Sequence, residues 1–457
     1  MLTTQKQSHA IGNGWTPDTW RSRTALHQPV YLCPTDHRVA LQTLALRPAL
    51  VEADKVLQLK ALIARAQEGQ GFILQGGDCA ESFDQCSRET ATRQVKVLQQ
   101  MAQILMQRLQ TPVVCLARLA GQYAKPRSSD SETLGQQTLP VYRGDIVNAS
   151  AFTAAKRQAD PQRLLQAHTC SAATLGFVRA LYESGVDELL KPAQWSTAWI
   201  DRLPEREAYL HTIQGVQHTS QFMAALAGND TDRFVHRETY VSHEALLLDY
   251  EQALTRQVQG FDGWFNLCTH FPWIGKRTAD LDGAHVEYCR GIRNPLGVKV
   301  GADVSPDALL ALIDRLNPHN EPGRLTLIHR MGADHLRTQL PALLDAVRHS
   351  GAKVLWLCDP MHGNTETLRC GTKTRRFERI LAEIEAAFSV HREQGTRLGG
   401  LHLELTGEDV TECLGGARDL RAEDLGRRYL SKVDPRLNYE QSLELALRVA
   451  HLDHPRH

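Results

Sequence analysis

The sequence predicts an α/β fold: a (β/α)8 TIM barrel with an N-terminal extension and an inserted helical segment between strands two and three. Three observations support this prediction. Short apolar segments alternate with segments of helical periodicity, several of the apolar segments end in residues that bind metal or phosphate, and one interval is too long for a simple crossover. A flat doubly wound sheet is the competing arrangement, because the alternation alone does not show that the sheet closes.

The strands are predicted from short apolar segments bounded by turn residues. They are Gly71–Leu74, Pro112–Leu116, Phe234–Val241, Trp264–Phe271, Gly297–Val300, Arg324–His329, Lys353–Cys358 and Gly400–Leu405. The separating helices are predicted at Glu89–Leu109, His243–Val258, Ser305–Leu316, Leu336–His349 and Arg375–Arg392. In a closed parallel barrel the carboxyl ends of all strands meet at one face, where an active site is expected.

Two regions lie outside this alternation. Residues 1–65 are interpreted as an extension ahead of the catalytic barrel at 66–457, with helical spacing at Val51–Arg65. The interval at about 130–230 is interpreted as an insertion that contains a helical run, Leu164–Ser184. Such a long interval often serves regulation or assembly, and a structural embellishment without a ligand is the alternative.

Composition excludes several function classes. Of 457 residues, 42% are hydrophobic and 23% charged, and 52 basic residues balance 52 acidic ones. Because no global field favours nucleic acid or an anionic membrane, neither partner is expected. The polar first 30 residues resemble no targeting peptide, no apolar run approaches membrane-spanning length, and the ten cysteines are scattered. A cytoplasmic protein with reduced thiols is predicted.

Residues suited to a divalent cation follow strands that a barrel makes neighbours. Cys79 follows strand one, His362 follows strand seven, Glu404 ends strand eight, and Asp434 comes further along. Strand eight of a barrel pairs with strand one, so these side chains should converge. A thiolate, an imidazole and two carboxylates suit Mn, Co, Fe or Zn better than Mg or Ca. Each residue alone is more often structural, and the prediction depends on their joint placement.

Cationic side chains follow strands two, five and six, which predicts a phosphate-binding pocket. They are Arg118, Lys299 and Arg330, and the loop after strand two adds Lys125, Arg127 and Ser128. Arginine forks match phosphate oxygens, and a buried lysine needs an anionic partner. Solvated surface cations are the alternative, which fits Lys125 best. A metal beside phosphates suggests carbonyl polarisation of a phosphorylated, sugar-like substrate, and leaves aldol-type condensation, isomerisation and hydrolysis open.

Blocks along the chain closely resemble the class II (plant-type) 3-deoxy-D-arabino-heptulosonate 7-phosphate (DAHP) synthases. The blocks are Phe72–Glu81, Ala120–Ser128, Ser242–Leu247, Asp282–His285, Asn294–Lys299, Asp359–Thr365, Thr406–Cys413 and Asp434–Asn438. The resemblance covers most of the chain from Trp20 onward and is weakest at 130–230. It implies a metal-dependent, aldol-type condensation of phosphoenolpyruvate with erythrose 4-phosphate to DAHP and phosphate. That reaction is the first step of the shikimate pathway to chorismate and the aromatic amino acids.

The resemblance also assigns roles to residues. It matches Cys79, His362, Glu404 and Asp434 to ligands of a divalent metal, with Mn or Co expected. It matches Arg118, Lys299 and Arg330 to catalytic contacts with phosphoenolpyruvate, Lys276 and Arg277 to further contacts with it, and Lys125, Arg127 and Ser128 to the aldose phosphate. A homo-oligomer and aromatic allosteric effectors are further implications.

Two positions depart from the family pattern. Lys276 stands where the family usually has glutamate, which changes the local charge beside the substrate. Val433 stands where many relatives have cysteine, so a disulfide between that position and Cys79 is impossible. The Lys276 change keeps an aminoDAHP-type synthase of a secondary-metabolite pathway open, and a non-catalytic regulatory paralogue is the other alternative.

Overall fold

A computed structural model describes residues 14–184, 191–192, 195–227 and 238–452. The strands in chain order are β1 (Phe72–Gly77), β2 (Val113–Arg118), β3 (Ser131–Leu134), β4 (Gln137–Pro140), β5 (Thr239–Glu244), β6 (Thr255–Gln257), β7 (Trp264–Asn266), β8 (Phe271–Ile274), β9 (Leu296–Gly301), β10 (Leu325–Arg330), β11 (Val354–Cys358), β12 (Thr365–Thr367), β13 (Lys373–Arg375) and β14 (Gly400–Glu404). Eight of them, β1, β2, β5, β8, β9, β10, β11 and β14, form a closed parallel barrel in that order.

The α-helices surround this barrel. They are α1 (Pro34–Ala45), α2 (Ala53–Gln67), α3 (Arg88–Leu109), α4 (Ala154–Arg157), α5 (Gln162–Ser184), α6 (Arg206–Ala227), α7 (Leu248–Ala253), α8 (Ala284–Gly291), α9 (Pro306–Leu316), α10 (Leu336–Ser350), α11 (Phe377–Glu393) and α12 (Tyr439–Ala450). Local sequence explains their ends: the Ser87 and Ser305 hydroxyls accept N–H groups of the first turns of α3 and α9, and Gly351 ends α10 in the left-handed conformation.

The barrel prediction is confirmed, and the open sheet is excluded. The last strand, β14, pairs with β1 from Ile73↔Gly400 to Gly77↔Glu404, which closes the ring. Because both faces of a closed parallel sheet are covered, its strands are apolar for most of their length. This is why six of the eight strands are predicted within one residue of their observed start, while β1, β2, β9 and β10 extend one to three residues beyond their predicted ends.

Two predicted strands and one predicted helix need correction. The third barrel strand is β5, five residues later than predicted at its start, and residues 234–237 of the predicted segment lie outside the described part. The predicted strand at 264–271 divides into β7 and the start of β8. The predicted helix at 243–258 is wrong: the chain stays in β5 through Glu244 and then forms only the short helix α7 before β6.

Buried polar contacts explain these errors. The Glu251 carboxylate lies 2.8 Å from Nε2 of His243 and accepts a 2.5 Å hydrogen bond from the Asn266 amide. The Asn294 amide donates to the carbonyl oxygens of Asn266 and Thr269, which turns the chain between β7 and β8. These side chains look like loop or helix surface in the sequence, yet they are satisfied inside the fold.

Helix α2 closes the amino-terminal end of the barrel. Leu59 and Ile63 belong to the same buried cluster as the strand residues Ile73, Leu116 and Leu357. Burying side chains of this size contributes roughly 1.5–3 kcal/mol each. The division of the chain at residue 65 stays a prediction. Most of helix α2, which seals the barrel, lies before that boundary.

The interval between β2 and β5 contains the hairpin β3–β4, helices α4 to α6 and short turns. Helix α5 includes the predicted run Leu164–Ser184, and α5 and α6 both contact α3. Across the ranges that the structure describes, no helix combines the length and apolar character needed to cross a bilayer.

Candidate active site

A pocket of about 250 Å³ opens at the carboxyl ends of the barrel strands. It is lined by Cys79, Arg118, Gln122, Lys125, Pro126, Arg127, Ser128, Glu244, Trp273, Gly275, Lys276, Arg277, Lys299, Arg330, His362, Thr365, Lys373 and Asp434. Every site residue predicted from the sequence is in this set except Glu404, which lies fully buried behind the wall and contacts Arg118 and His362. Lysine and arginine dominate the lining, so the pocket is suited to an anionic ligand.

The predicted metal ligands converge at one side of this pocket. The ligand atoms of Cys79, Glu404 and Asp434 all lie within 4.8 Å of one another. Nε2 of His362 lies 3.1 Å from Oε1 of Glu404. One thiol, one imidazole and two carboxylates therefore come from the ends of three neighbouring strands and from the segment after β14.

The ammonium of Lys125 lies among these donors. Its Nζ is 2.6 Å from Sγ of Cys79, 2.6 Å from Oδ2 of Asp434 and 3.5 Å from Oε1 of Glu404. A cation thus occupies the centre of the donor set, and it stands in for the charge of a metal ion. The residues fit a divalent transition metal, because the set mixes sulfur, nitrogen and oxygen and concentrates negative charge.

Electrostatics at the donors favours a bound cation. Burial and the negative charge of Glu404 together raise the pKa of the Cys79 thiol to about 12. Burial opposes ionisation of Glu404 as well, but the nearby charges of His362, Lys125 and Arg375 hold its pKa well below the usual range. A divalent cation here would stabilise the thiolate strongly, as coordination does in other metal sites.

Asp359 orients His362 toward the donor set. Its Oδ2 lies 2.7 Å from Nδ1 of His362, and its Oδ1 accepts the backbone N–H groups of Met361 and His362. This contact leaves Nε2 facing Glu404, in the arrangement by which carboxylates orient metal-binding imidazoles. The same Oδ2 accepts a 2.5 Å hydrogen bond from Lys299, so Asp359 connects the donor set to the cationic wall.

The cationic wall consists of Arg118, Lys299 and Arg330. Arg118 is buried: its Nε donates to the Asp78 carbonyl, its Nη2 donates to Glu404, and its guanidinium lies 5.2 Å from the centroid of the Trp273 ring. Arg330 donates to the His362 carbonyl at 3.0 Å. Burial lowers the pKa of Lys299 to about 7. The negative charge of Asp359 raises this pKa, whereas the positive charges of Arg118 and Arg330 lower it.

The loop after β2 is held by Glu81. The Glu81 carboxylate accepts N–H groups from Ala120 at 2.9 Å, Gly121 at 2.8 Å and Gln122 at 2.7 Å. Three such bonds fix the start of the loop that carries Lys125 to the donors and Arg127 and Ser128 to the pocket. These residues form the second end of the pocket, and Arg277 is linked to them by a 3.0 Å hydrogen bond to the Pro126 carbonyl.

Glu244 is a pocket residue that the sequence reasoning missed. Its Oε1 is buried and has no hydrogen-bond partner in the described part of the chain. Burial raises its pKa, while Lys125, His362 and Lys299 pull in the opposite direction. Gly275 makes room for it, since a Cβ there would lie 2.0 Å from Oε1. The block Ser242–Leu247 was noticed, but the prediction of a helix from His243 hid that Glu244 ends a barrel strand.

Lys373 and Arg375 were also missed. Lys373 lies 2.9 Å from Oδ1 of Asp434, and the buried Arg375 lies 2.7 Å from Oε2 of Glu404. Both belong to the short strand β13, whose last residue, Arg375, is the first residue of a predicted helix. The segment around them, residues 371–376, is polar and charged, so the sequence holds no local signal that either side chain reaches the site.

The two departures from the family pattern have distinct surroundings. Lys276 lies at the pocket rim, where its ammonium is 2.8 Å from the exposed Asp303 carboxylate. Val433 packs in one small apolar cluster with Cys79 and Tyr142. Valine there shields the sulfur, and it cannot form a disulfide with it.

The fold and the site define a (β/α)8-barrel protein with a candidate metal centre beside a cationic pocket. Comparison with known sequences gives the family: the chain belongs to the class-II DAHP synthetase family, whose sequence model matches residues 15–450. Two proteins named phospho-2-dehydro-3-deoxyheptonate aldolase are similar to it. The one from Streptomyces coelicolor is 44% identical over 99% of both chains. The one from Neurospora crassa is 40% identical over 97% of this chain and 95% of its own.

A solved structure named phospho-2-dehydro-3-deoxyheptonate aldolase, from Francisella tularensis, is a more distant match. It has 12% identity and a TM-score of 0.49, over 94% of this chain and 98% of that chain. A likeness of this degree carries no argument about the site.

Proposed function

We propose that this protein condenses phosphoenolpyruvate with erythrose 4-phosphate to give DAHP and phosphate, as the first step of the shikimate pathway. The observation that carries the proposal is the convergence of the four metal-donor side chains with a cationic wall and a second phosphate-sized cationic end in one pocket. Membership of the class-II DAHP synthetase family supports the same reaction.

Phosphoenolpyruvate binds at the wall formed by Arg118, Lys299 and Arg330. Its carboxylate and phosphate supply anionic partners for these cations. Arg330 needs such a partner, because its Nε has no hydrogen-bond partner among the described residues. Lys276 and Arg277 extend this wall at the rim. Fixed charges around the substrate stabilise the transition state because they need no reorganisation during the reaction.

Erythrose 4-phosphate binds with its phosphate at Lys125, Arg127 and Ser128. Its aldehyde then points toward Cys79, His362, Glu404 and Asp434, which hold a divalent metal, Mn or Co. The metal, when bound, polarises a carbonyl oxygen as a Lewis acid. The protein aligns the two reacting carbons, and such alignment supplies a large share of the rate increase in two-substrate reactions.

The reaction forms one carbon–carbon bond and releases one phosphate. C3 of phosphoenolpyruvate attacks the C1 aldehyde of erythrose 4-phosphate, positive charge develops at C2, and water adds at C2. Cleavage of the C2–O bond then releases inorganic phosphate. Glu244 accepts the proton of the water, because its carboxylate lines the pocket and its Oε1 has no hydrogen-bond partner among the described residues.

Regulation and assembly extend the proposal. The helices between β2 and β5 are the proposed place for aromatic effectors and for contacts in a homo-oligomer, since none of their residues lines the pocket and α5 and α6 pack on α3. A cytoplasmic location agrees with the buried free thiols Cys79, Cys115 and Cys358.

Phosphate release with both substrates tests the proposed reaction. The protein is stripped with a chelator, restored with Mn²⁺ or Co²⁺, and assayed for phosphate with phosphoenolpyruvate and erythrose 4-phosphate. Release that needs the metal and both substrates supports the proposal. No release from metal-loaded protein would favour a binding paralogue, and preference for the imino analogue of erythrose 4-phosphate would favour an aminoDAHP-type synthase.

A further inference from the structure

A second set of metal-binding side chains lies behind the pocket, between the barrel and helix α11. The ligand atoms of His329, Cys358 and Glu383 all lie within 4.8 Å of one another, and all three residues are buried. His329 on β10 and Cys358 on β11 are direct partners in the strand register. Glu383 reaches them from α11.

Side-chain alternation separates this cluster from the catalytic pocket. Arg330 lines the pocket, and its neighbour His329 belongs to the opposite face of β10, because successive side chains of a strand point to opposite faces. On β11, Cys358 packs in the outer core, while the following Asp359 contacts Lys299 and His362. The cluster therefore shares no ligand with the donor set at Cys79.

His329 carries the strongest sign of a missing partner. Its side chain is 0% exposed, and neither ring nitrogen has a hydrogen-bond partner within the described ranges. A buried polar group without a hydrogen-bond partner is destabilising, because it has lost its contacts with water. Burial lowers the pKa of His329 to about 3, so the ring is neutral and each orientation offers a lone pair to a cation.

His391 lies beside this cluster, outside the 4.8 Å group, and is the candidate for a fourth donor. It lies on α11, its ring centroid is 5.8 Å from that of His329, and its Nε2 has no hydrogen-bond partner in the part of the chain that the structure covers. Its Nδ1 lies 2.9 Å from the Thr396 hydroxyl oxygen, and that hydroxyl donates to the His391 carbonyl. Nδ1–H is then the donor to Thr396, which leaves the Nε2 lone pair available, as in metal sites whose imidazoles are oriented by a second contact.

We propose that His329, Cys358, Glu383 and His391 bind a structural divalent transition-metal ion, with Zn²⁺ the best match. A closed, buried site with two imidazoles, one thiolate and one carboxylate suits tetrahedral zinc. Zinc bonds of about 2.0–2.3 Å draw the ligand atoms closer together than they lie here, through small side-chain rotations. The ion relieves the orphaned nitrogens of His329 and His391.

Such an ion would hold two loops of the catalytic face. The Glu383 carboxylate accepts the N–H groups of Met331 and Gly332, which follow Arg330, and the side-chain amide of Asn364, which follows His362. A metal that fixes Glu383 thereby fixes the backbone on which Arg330 and His362 stand. The effect on catalysis is one of positioning, since no residue of this cluster lines the pocket.

Metal counting separates this site from the catalytic one. Full-length protein with Cys79→Ala, which lacks a donor of the catalytic set, is loaded with Zn²⁺, dialysed and measured by elemental analysis. We expect about one retained zinc per chain, and none when Cys358→Ala or His329→Ala is added. Loading with Co²⁺ should give a thiolate-to-cobalt absorption band in Cys79→Ala that disappears with Cys358→Ala.

Two results would overturn the second site. One is the absence of tightly held zinc or cobalt in well-folded Cys79→Ala protein, a result that does not depend on whether any cluster variant folds. The other is retention of that metal in Cys79→Ala/Cys358→Ala, with Cys79→Ala/Cys115→Ala as the matched control for loss of another buried thiol on a barrel strand. Neither readout uses turnover, so the outcome is independent of the proposed condensation.

Discussion

The ammonium of Lys125 lies 2.6 Å from the sulfur of Cys79. It also contacts Asp434 and Glu404, so a lysine occupies the place that the donor set offers to a metal. A metal ion bound there must displace this ammonium toward the pocket, where Arg127 and Ser128 lie. We propose that this side chain pairs with the donors in the metal-free protein and with the aldose phosphate once the metal is bound.

Removing the Lys125 charge should destabilise the metal-free protein. In Lys125→Met, the buried Glu404 carboxylate and the half-buried Asp434 carboxylate lose a cation, and breaking a buried ion pair from one side costs about 3–5 kcal/mol. Thermal unfolding with chelator should show a clearly lower midpoint than wild type. Added Mn²⁺ should restore most of the difference, because the metal replaces the lost charge. Equal midpoints with chelator would contradict the arrangement.

Loss of the Cys79 sulfur should abolish turnover. Cys79→Ala removes a ligand, and the expected drop in activity is at least about 100-fold at limiting Mn²⁺. The fold should persist, because the barrel core does not depend on this side chain. Cys370→Ala, at an exposed thiol away from the pocket, is the matched control and should behave as wild type. Full activity of metal-depleted Cys79→Ala would show that the ligand assignment is wrong.

The barrel could be predicted from its apolar strand segments, whereas the polar ends of the strands could not be predicted. The segment Gly400–Leu405 could be placed because consecutive apolar residues are typical of a strand buried on both faces. Ser242, His243 and Glu244 extend β5, but the hydrogen-bond partners of the Ser242 and His243 side chains, Ala117 and Glu251, lie outside this strand. No local pattern contains that information, and a helix was predicted there instead.

The site residues, too, could be predicted where strand order decides their position, and could not where contacts between distant residues decide it. Cys79, His362 and Glu404 could be grouped because strand order in a barrel fixes which strand ends are neighbours. Glu244 was not predicted as a site residue, because the predicted strand ended before it and a helix was predicted in its place. The cluster around His329 was not predicted, because only the register of two strands brings His329 next to Cys358. A histidine or cysteine alone is most often structural.

Glu244 should matter for turnover and little for metal binding. Glu244→Gln keeps the shape of the side chain but removes the base, and general-base loss typically costs about 100- to 10,000-fold in rate. We expect kcat to fall in this range while Mn²⁺ stoichiometry and the KM for phosphoenolpyruvate stay near wild type. A KM increase with unchanged kcat would assign Glu244 to substrate binding.

Lys299 should give the reaction a pH dependence. Because burial lowers its pKa to about 7, the side chain is charged below that pH and becomes neutral above it. The value of kcat/KM for phosphoenolpyruvate, which reports the free enzyme, should therefore fall from about pH 7 upward, by roughly tenfold per pH unit. Lys299→Arg keeps its charge and should lack this fall. A flat wild-type profile between pH 6 and 9 would contradict the assignment.

Lys276 should tolerate reversal of its charge. Its ammonium pairs with the exposed Asp303, and exposed pairs contribute about 0–1 kcal/mol. Lys276→Glu should keep kcat within about threefold, with Lys276→Met as the neutral control. A loss of activity in both Lys276→Glu and Lys276→Met would indicate a specialised role for the positive charge.

Crystals of the Mn²⁺-loaded protein test the central claim most directly, through the anomalous scattering of the metal. We expect one strong peak bonded to Cys79, His362, Glu404 and Asp434, with Lys125 displaced from Cys79. A peak elsewhere, with these four side chains unligated, would contradict the account of the site.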